Sequence, residues 1–413
     1  MRRPAITSLA AAAVAAALAT SCSSPGTAAS GGEGAEEVEV ALITSTSGPL
    51  ASYGEQYLRG FEAGLDHATG GTGKIDGVEI KVSRYDDGGD PAKGVSLAKK
   101  SAGQGVRIIA GTAASGVATQ IAPVAAQNKV LYISGPAATD ALTGANKYTF
   151  RSGRQTFQDV ATAQRILEAQ EGGEAGEDGK SGKGGKGGKG RKVVVLAQDN
   201  AFGQANVAAV ESVLGTGGTT VDSVLAPPSA TDLTPTATKV KAAGPDMVFV
   251  AWAGDTAQSM WTTLDQQGVL DAATVVTGLD SRASYPVFGK ARDKVTLLAH
   301  YVPGAIDNPE AKAVEEYFGK KGWKTDLFTP DGFNAAQMVA QAVREAGADG
   351  DTDAMVKALE GHTFAGIKGE NTVRAGDHAL LQPMFQAEFD GDAPKVVQTL
   401  DAREVAPAEK KIG

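Results

Sequence analysis

Cysteine, histidine and aromatic residues are scarce in this 413-residue chain, and each shortage closes off a class of function. The one thiol, Cys22, cannot make an intramolecular disulfide, so packing has to hold the fold. Four histidines, His67, His300, His362 and His378, are scattered without metal-site spacing, and neither a metal nor a cofactor is expected. Positive charge is not in surplus. The 39 Lys and Arg against 48 Asp and Glu leave a formal charge of -9, which argues against a polyanion-binding surface and against nucleic acid as a partner. The apolar run from Ile6 to Ala19 is too short to span a bilayer comfortably. Catalytic groupings are missing as well. Ser96-Leu-Ala-Lys99 has S-x-x-K spacing without its partner motifs, and Gly179-Lys180-Ser181 lacks the first P-loop glycine and a preceding strand. Asp349, Asp351, Asp353 and Glu360 fall at EF-hand positions, but Ala354 replaces the turn glycine and Ala354 to Leu359 reads as helix. No nucleophile is matched with a base, so the chain is not expected to be an enzyme.

What is present begins with an export signal. Arg2 and Arg3 precede the apolar run, and small residues follow it. The signal ends in Leu18-Ala19-Thr20-Ser21-Cys22, which resembles a bacterial lipobox with Ala19 where leucine is usual. Residues 1–21 are therefore read as a signal peptide. Cys22 becomes the acylated first residue of an extracytoplasmic protein anchored to the cell membrane by lipid. Residues 22–37, rich in Ser, Gly, Ala and Glu, form a flexible tether, and the folded part is expected to begin near Val38.

From there, short β-branched runs alternate with Ala-rich stretches of helical period, the pattern of βαβ units around parallel sheets. One set reads as strand Arg107–Ala110, helix Ala118–Gln127 and strand Val130–Ser134. A second reads as strand Met247–Trp252, helix Thr256–Gln267 closed by Gly268, and strand Thr274–Thr277. Between the two sets, residues 171–192 carry a Gly/Lys repeat that can neither propagate a helix nor pack, and they are expected to form a surface loop before the strand Val193–Leu196. Ligands of open parallel sheets bind outside the carboxyl ends of the strands. There the first half of the chain offers hydroxyls (Thr44 to Gly54, Gly111 to Ser115, Ser134 to Thr139). The second half offers carboxylates (Asp199, Asp255, Asp280).

Seven segments in register carry a resemblance over nearly the whole chain from Val38. They are Gly48-Pro-Leu-Ala-Ser-Tyr-Gly54, Tyr85-Asp-Asp-Gly-Gly-Asp-Pro91, Gly111 to Ser115, Pro136 to Thr139, Tyr148-Thr-Phe-Arg151, Asp199-Asn-Ala-Phe-Gly203 and Pro245-Asp246. Together they resemble the leucine/isoleucine/valine-binding family of solute receptors, the type I periplasmic-binding fold. The resemblance implies an α/β protein of two doubly wound, Rossmann-like lobes joined by three hinge crossings near Thr156, Tyr301 and Leu381. Lobe 1 would comprise 38–155 and 302–380, and lobe 2 would comprise 156–301 and 381–405. It also implies a monomeric binding subunit that captures an amino acid, branched-chain or otherwise apolar, for the permease subunits of an ABC importer. The alternatives are a ligand-sensing receptor and a binder of another small molecule such as an aromatic acid or amide. By the same resemblance the ligand carboxylate would meet Ser115, Thr139 and backbone amides around Ala137, while the ammonium would meet Asp280. Helix N-termini suit a carboxylate on physical grounds alone. The ligand side chain would lie among Tyr53, Phe202, Trp252 and Phe328, with Asp255 either touching ligand or capping the helix at Thr256. The family's small first-lobe disulfide is missing at both positions, Gly89 and Ala114.

Overall fold

In the computed structural model, which describes residues 36–172 and 190–413, the apolar runs become two sheets. The export signal, Cys22, nearly all of the tether and the core of the 171–192 segment lie outside the described residues. The first sheet is built from β1 (Glu37–Thr44), β2 (Lys74–Ile75), β3 (Val78–Asp86), β4 (Ile108–Ala110), β5 (Leu131–Ser134) and β6 (Thr149–Arg151). Its order is β2-β3-β1-β4-β5-β6, parallel except for the short β2 edge. Side chains alternate across a strand, so β1 feeds two cores. Val40 and Leu42 face one with Ile108 and Ile133, and Ala41 and Ile43 face the other with Ile109 and Tyr132. Helices α1 (Ala51–Thr69), α2 (Pro91–Gly103) and α3 (Ser115–Asn128) are the crossovers.

The chain then leaves this lobe through residues 152–155 and enters α4 (Thr156–Gly172). The second sheet carries β7 (Lys192–Gln198), β8 (Thr220–Ala226), β9 (Met247–Ala251), β10 (Thr274–Gly278) and β11 (Val295–Ala299), with α5 (Ala201–Leu214), α6 (Thr234–Ala242) and α7 (Ala257–Gln266) between them. Here β7 repeats the logic of β1. Val194 and Leu196 face one core, and Val193 and Val195 face the other.

Residues 300–308 return the chain to the first lobe for α8 (Pro309–Lys321), α9 (Thr329–Ala346) and α10 (Thr352–Leu359), then a small antiparallel sheet of β12 (Thr363–Gly366), β13 (Gly369–Val373) and β14 (Leu380–Leu381). Residues 382–383 cross again to β15 (Met384–Asp390) and β16 (Ala393–Leu400), an antiparallel edge that completes the order β16-β15-β11-β10-β9-β7-β8.

Three details differ from the sequence reading. The first strand starts at Glu37, because its pairing with Glu79 extends the ladder one residue further. Helix α3 starts at Ser115 instead of Ala118, which puts a helix N-terminus directly on the loop after β4. Leu381 pairs with Thr372 of β13, so it sits with the first lobe and the handover follows it.

The chain after β16 also makes a fourth link between the lobes. Val405 is buried with Ala161 and Met384 against the second lobe. The next residues dock on the first: Arg374 Nη1 donates to Pro407 O at 2.7 Å, Lys410 N donates to Asp377 Oδ2 at 3.0 Å, and Gly413 N donates to Gly144 O at 3.0 Å.

Candidate functional site

The carboxyl ends of both sheets face one cleft of ≈ 790 Å³. From the first lobe it is lined by Pro49 and Tyr53 after β1, Ala113–Gly116 after β4, Pro136 and Ala138 after β5, and Arg154 after β6. The second lobe contributes Gln198 at the end of β7 and Phe202 after it, Trp252 and Asp255 after β9, and Asp280 after β10; Leu327 and Phe328 close one side.

Two glycines make the first wall possible by close approach. A Cβ on Gly54 would stand 1.8 Å from Ser45 O, and one on Gly111, at φ +115°, would stand 1.9 Å from Ile43 O. The acidic segment Tyr85 to Pro91 is scaffolding for this wall. Asp86 accepts from Thr46 N at 2.8 Å and Ser47 Oγ at 2.6 Å, while buried Asp87 accepts from Ser45 Oγ at 2.6 Å and from Thr112 Oγ1. Burial alone would raise the Asp86 carboxyl, but hydrogen bonds from Ser47, the Thr46 and Gly88 amides and Lys93 hold it well below the usual carboxylate range. Asp90 caps α2 through Ala92 N and Lys93 N.

Helix α3 opens onto the cleft at Ala114 with no side-chain cap. Among the described residues the Ser115 hydroxyl and the Ser115 and Gly116 amides have no hydrogen-bond partner, whereas Val117 N and Ala118 N donate to Ala114 O. This is a free donor set at the positive end of a helix dipole, suited to a carboxylate. Across the cleft, Asp280 Oδ1 accepts from Tyr53 OH at 2.8 Å and from Ser281 N at 2.6 Å. Burial pushes the Asp280 carboxyl up, and the Ser281 amide and Tyr53 hydroxyl pull it partly back. Burial, then the Asp280 charge, pushes the Tyr53 phenol well up as well. The hydrogen bond joins the lobes, since Tyr53 lies on α1 and Asp280 follows β10. Tyr53 also packs on Phe328, with ring centroids 4.4 Å apart.

Seven of the nine predicted ligand contacts meet in this cleft: Tyr53, Ser115, Phe202, Trp252, Asp255, Asp280 and Phe328. Two do not reach it. Ala137 is fully buried, its N–H donating to Thr112 O at 3.1 Å, and Ala138 stands at the wall instead. Thr139 is turned away to accept from Ala141 N at 3.3 Å, capping the short turn Asp140–Leu142. Asp255 does not cap α7. Thr256 is the N-cap residue, its hydroxyl accepting from Trp252 Nε1 at 3.0 Å, and Asp255 is exposed at the rim.

Arg154 and Asp159 also line the cleft and were not anticipated from the sequence. Arg154 comes three residues after the family-like Tyr148 to Arg151 segment, and nothing in its spacing separates it from the buried Arg151 beside it. Among the described residues no group of three His, Cys, Asp or Glu could hold a metal, and no helix is long and apolar enough to cross a membrane.

A model of the periplasmic binding protein family matches residues 37–394, spanning both lobes and the cleft. The chain belongs to the periplasmic binding protein family. It is an extracytoplasmic, ABC-transporter solute-binding protein, a family of small-molecule binders that work with membrane permeases and are not enzymes. It is 26% identical over 368 residues to Leu/Ile/Val-binding protein homolog 3 of Brucella melitensis, covering 87% of this chain and 93% of that one. It is 30% identical to a branched-chain amino acid ABC transporter protein of Rhodopseudomonas palustris, whose crystal structure superposes with a TM-score of 0.68, covering 89% of this chain and 97% of that one. A solute-binding protein of R. palustris in complex with 4-hydroxybenzoate shares the fold at a TM-score of 0.77 and 21% identity, covering 88% and 97%. In this solute-binding protein the two-lobed α/β architecture and the family expectation from the sequence are therefore correct.

Proposed function

We propose that this solute-binding protein captures an amino acid with an apolar side chain between its lobes and delivers it to the permease of an ABC importer. The observation that carries the reading is the division of the cleft. Uncapped donors at Ser115 lie on one wall, and the Asp280 carboxylate, followed by aromatic and aliphatic lining, lies on the other. A zwitterion needs both ends, and contacts made only when the lobes are together are what stabilise closure. The names of the Brucella and R. palustris relatives agree with a branched-chain ligand.

A second reading, an aromatic acid, is favoured by one feature. Tyr53 OH already donates to Asp280, and burial shifts that carboxyl toward its neutral form, which lowers the demand for an ammonium. The R. palustris neighbours in complex with 4-hydroxybenzoate and benzoate have the same fold.

Thermal-shift screening separates the two, because a ligand that binds only the native state raises the melting temperature. Leucine, isoleucine or valine should stabilise the protein more than benzoate or 4-hydroxybenzoate. The reverse order would install the second reading, and no shift with any of them would reject both. We further place the protein at the membrane surface through acylated Cys22. Cys22→Ser should move it from the membrane fraction to the soluble extracytoplasmic fraction, and unchanged fractionation would count against the anchor.

A further inference from the structure

One cation in the cleft keeps most of its donors unmet. Arg154 has five N–H groups. Among the described residues only one of them finds an acceptor, through Nη1 to Pro136 O at 3.2 Å. Nε forms an ion pair with the buried Asp159 Oδ2 at 3.3 Å without hydrogen-bond geometry, and Nη2 has no acceptor on a side chain that lines the cleft. The side chain is 11% exposed, so bulk water does little to compensate. Such a guanidinium is costly unless its donors are met.

Position and support give it a direction. Along the carboxyl edge of the first sheet, β4, β5 and β6 are neighbours in order, so the loops bearing Ser115, Pro136–Ala138 and Arg154 follow one another around the same wall. The bond to Pro136 O fixes the guanidinium against the middle loop, and its Cζ lies 5.8 Å from the centre of the Phe328 ring, a cleft residue that packs on Tyr53. Anchored at Nη1, the fork leaves Nη2 for an incoming acceptor, and guanidinium geometry favours carboxylate oxygens.

We propose that Arg154 is a specificity-determining residue of the cleft that donates to the acid group of the solute. The inference rests on the cleft being the solute site and holds for an amino acid or an aromatic acid alike. Ser115 and the start of α3 then supply neutral donors, and Arg154 supplies the charge that distinguishes an acid from its amide.

The test compares isosteric acid and amide probes by calorimetry, L-leucine with L-leucinamide and benzoate with benzamide, on the wild type, Arg154→Gln and Arg154→Lys. The wild type should prefer the acid in whichever pair it binds. Arg154→Gln should reduce that preference by about ten- to hundredfold, and Arg154→Lys should keep the preference with weaker binding. An acid preference undiminished in Arg154→Gln overturns the proposal while leaving the cleft as the solute site. If Arg154→Gln does not fold, Arg154→Lys decides: an affinity equal to wild type for the acid probe rejects a role for the guanidinium fork. A wild type that binds the amide as tightly as the acid also rejects it. Absence of binding to all four probes overturns it together with the acid-binding reading of the cleft, a result distinct from the others.

Discussion

At the scale of single residues, the first lobe keeps a buried carboxyl where no hydrogen bond reaches it. Asp331 on α9 is fully buried, neither of its oxygens has a hydrogen-bond partner among the described residues, and His300 Nε2 is 3.7 Å away. Burial pushes its pKa up to about 7, against the pull of Arg154, Lys368 and Arg151. An unfolded aspartate titrates near ~3.9. Between those values the folded chain retains a proton that the unfolded chain has released. The contribution of Asp331 to stability is therefore complete at low pH and is lost as pH rises toward 7. Burial also pushes Lys368 down to about 7, and that group acts in the opposite direction above neutrality, so the comparison belongs below it. Urea midpoints of the wild type should fall relative to those of Asp331→Asn between about pH 5 and 7. Parallel curves would mean that Asp331 is ionised throughout. The same scale shows where sequence reading stops. Ser115 and Asp280 were legible because a hydroxyl and a carboxylate follow strands in family register. Ala138 displaced Ala137 and Thr139 because a one-residue rotation of a loop is set by the buried Arg151, which takes the carbonyls of both Ala137 and Thr139. Arg154 was missed because an arginine in a cleft and one in a core look alike in sequence.

At the scale of elements, the helix pair α1 and α9 depends on missing side chains. A Cβ on Gly60 would approach Thr329 O to 2.2 Å, and one on Gly332 would approach Tyr57 O to 2.0 Å. Two effects compete at Gly60. Alanine gains about 1 kcal/mol of helix propensity, whereas overpacking costs about 1–3 kcal/mol and here strikes backbone. The clash should win, so Gly60→Ala should lower the melting temperature. Gly319→Ala on exposed α8, where nothing stands within 4 Å, should raise it slightly. Equal shifts in the two variants would show that α1 and α9 are free to move apart. Most elements were readable from periodicity, and the strands at 108–110, 131–134, 247–251 and 274–278 fall within a residue or two of expectation. The start of α3 was not, because Ser115 to Val117 has no capping signal and is held by Val117 N and Ala118 N to Ala114 O.

At the scale of the molecule, four short links join the lobes, three between sheets and one through the last residues. The last link hangs on Arg374, whose guanidinium grips Asp377 and reaches Pro407 O. Arg374→Ala should accelerate hydrogen exchange at Lys410 N, which donates to the same Asp377, with little change in the sheet cores. Unchanged exchange there would show that the final segment docks independently of Arg374. The chain's two-lobed plan was visible from the repeated βαβ pattern. The final strap was not, because its contacts join a side chain to a backbone group more than 30 positions away, Arg374 to Pro407 O and Lys410 N to Asp377, and such pairs leave no mark on composition.

In the proposed complex one solute is held at once by the Ser115 wall and the Asp280 wall. Calorimetric titration of the best-stabilising amino acid into wild type, Ser115→Ala, Asp280→Ala and the double variant tests it most directly. Asp280→Ala should weaken the amino acid by about ten- to hundredfold and leave its ammonium-free analogue less affected. Ser115→Ala should weaken both, and the double variant should lose more than either single one. Binding that is indifferent to both substitutions would place the solute elsewhere and contradict the claim.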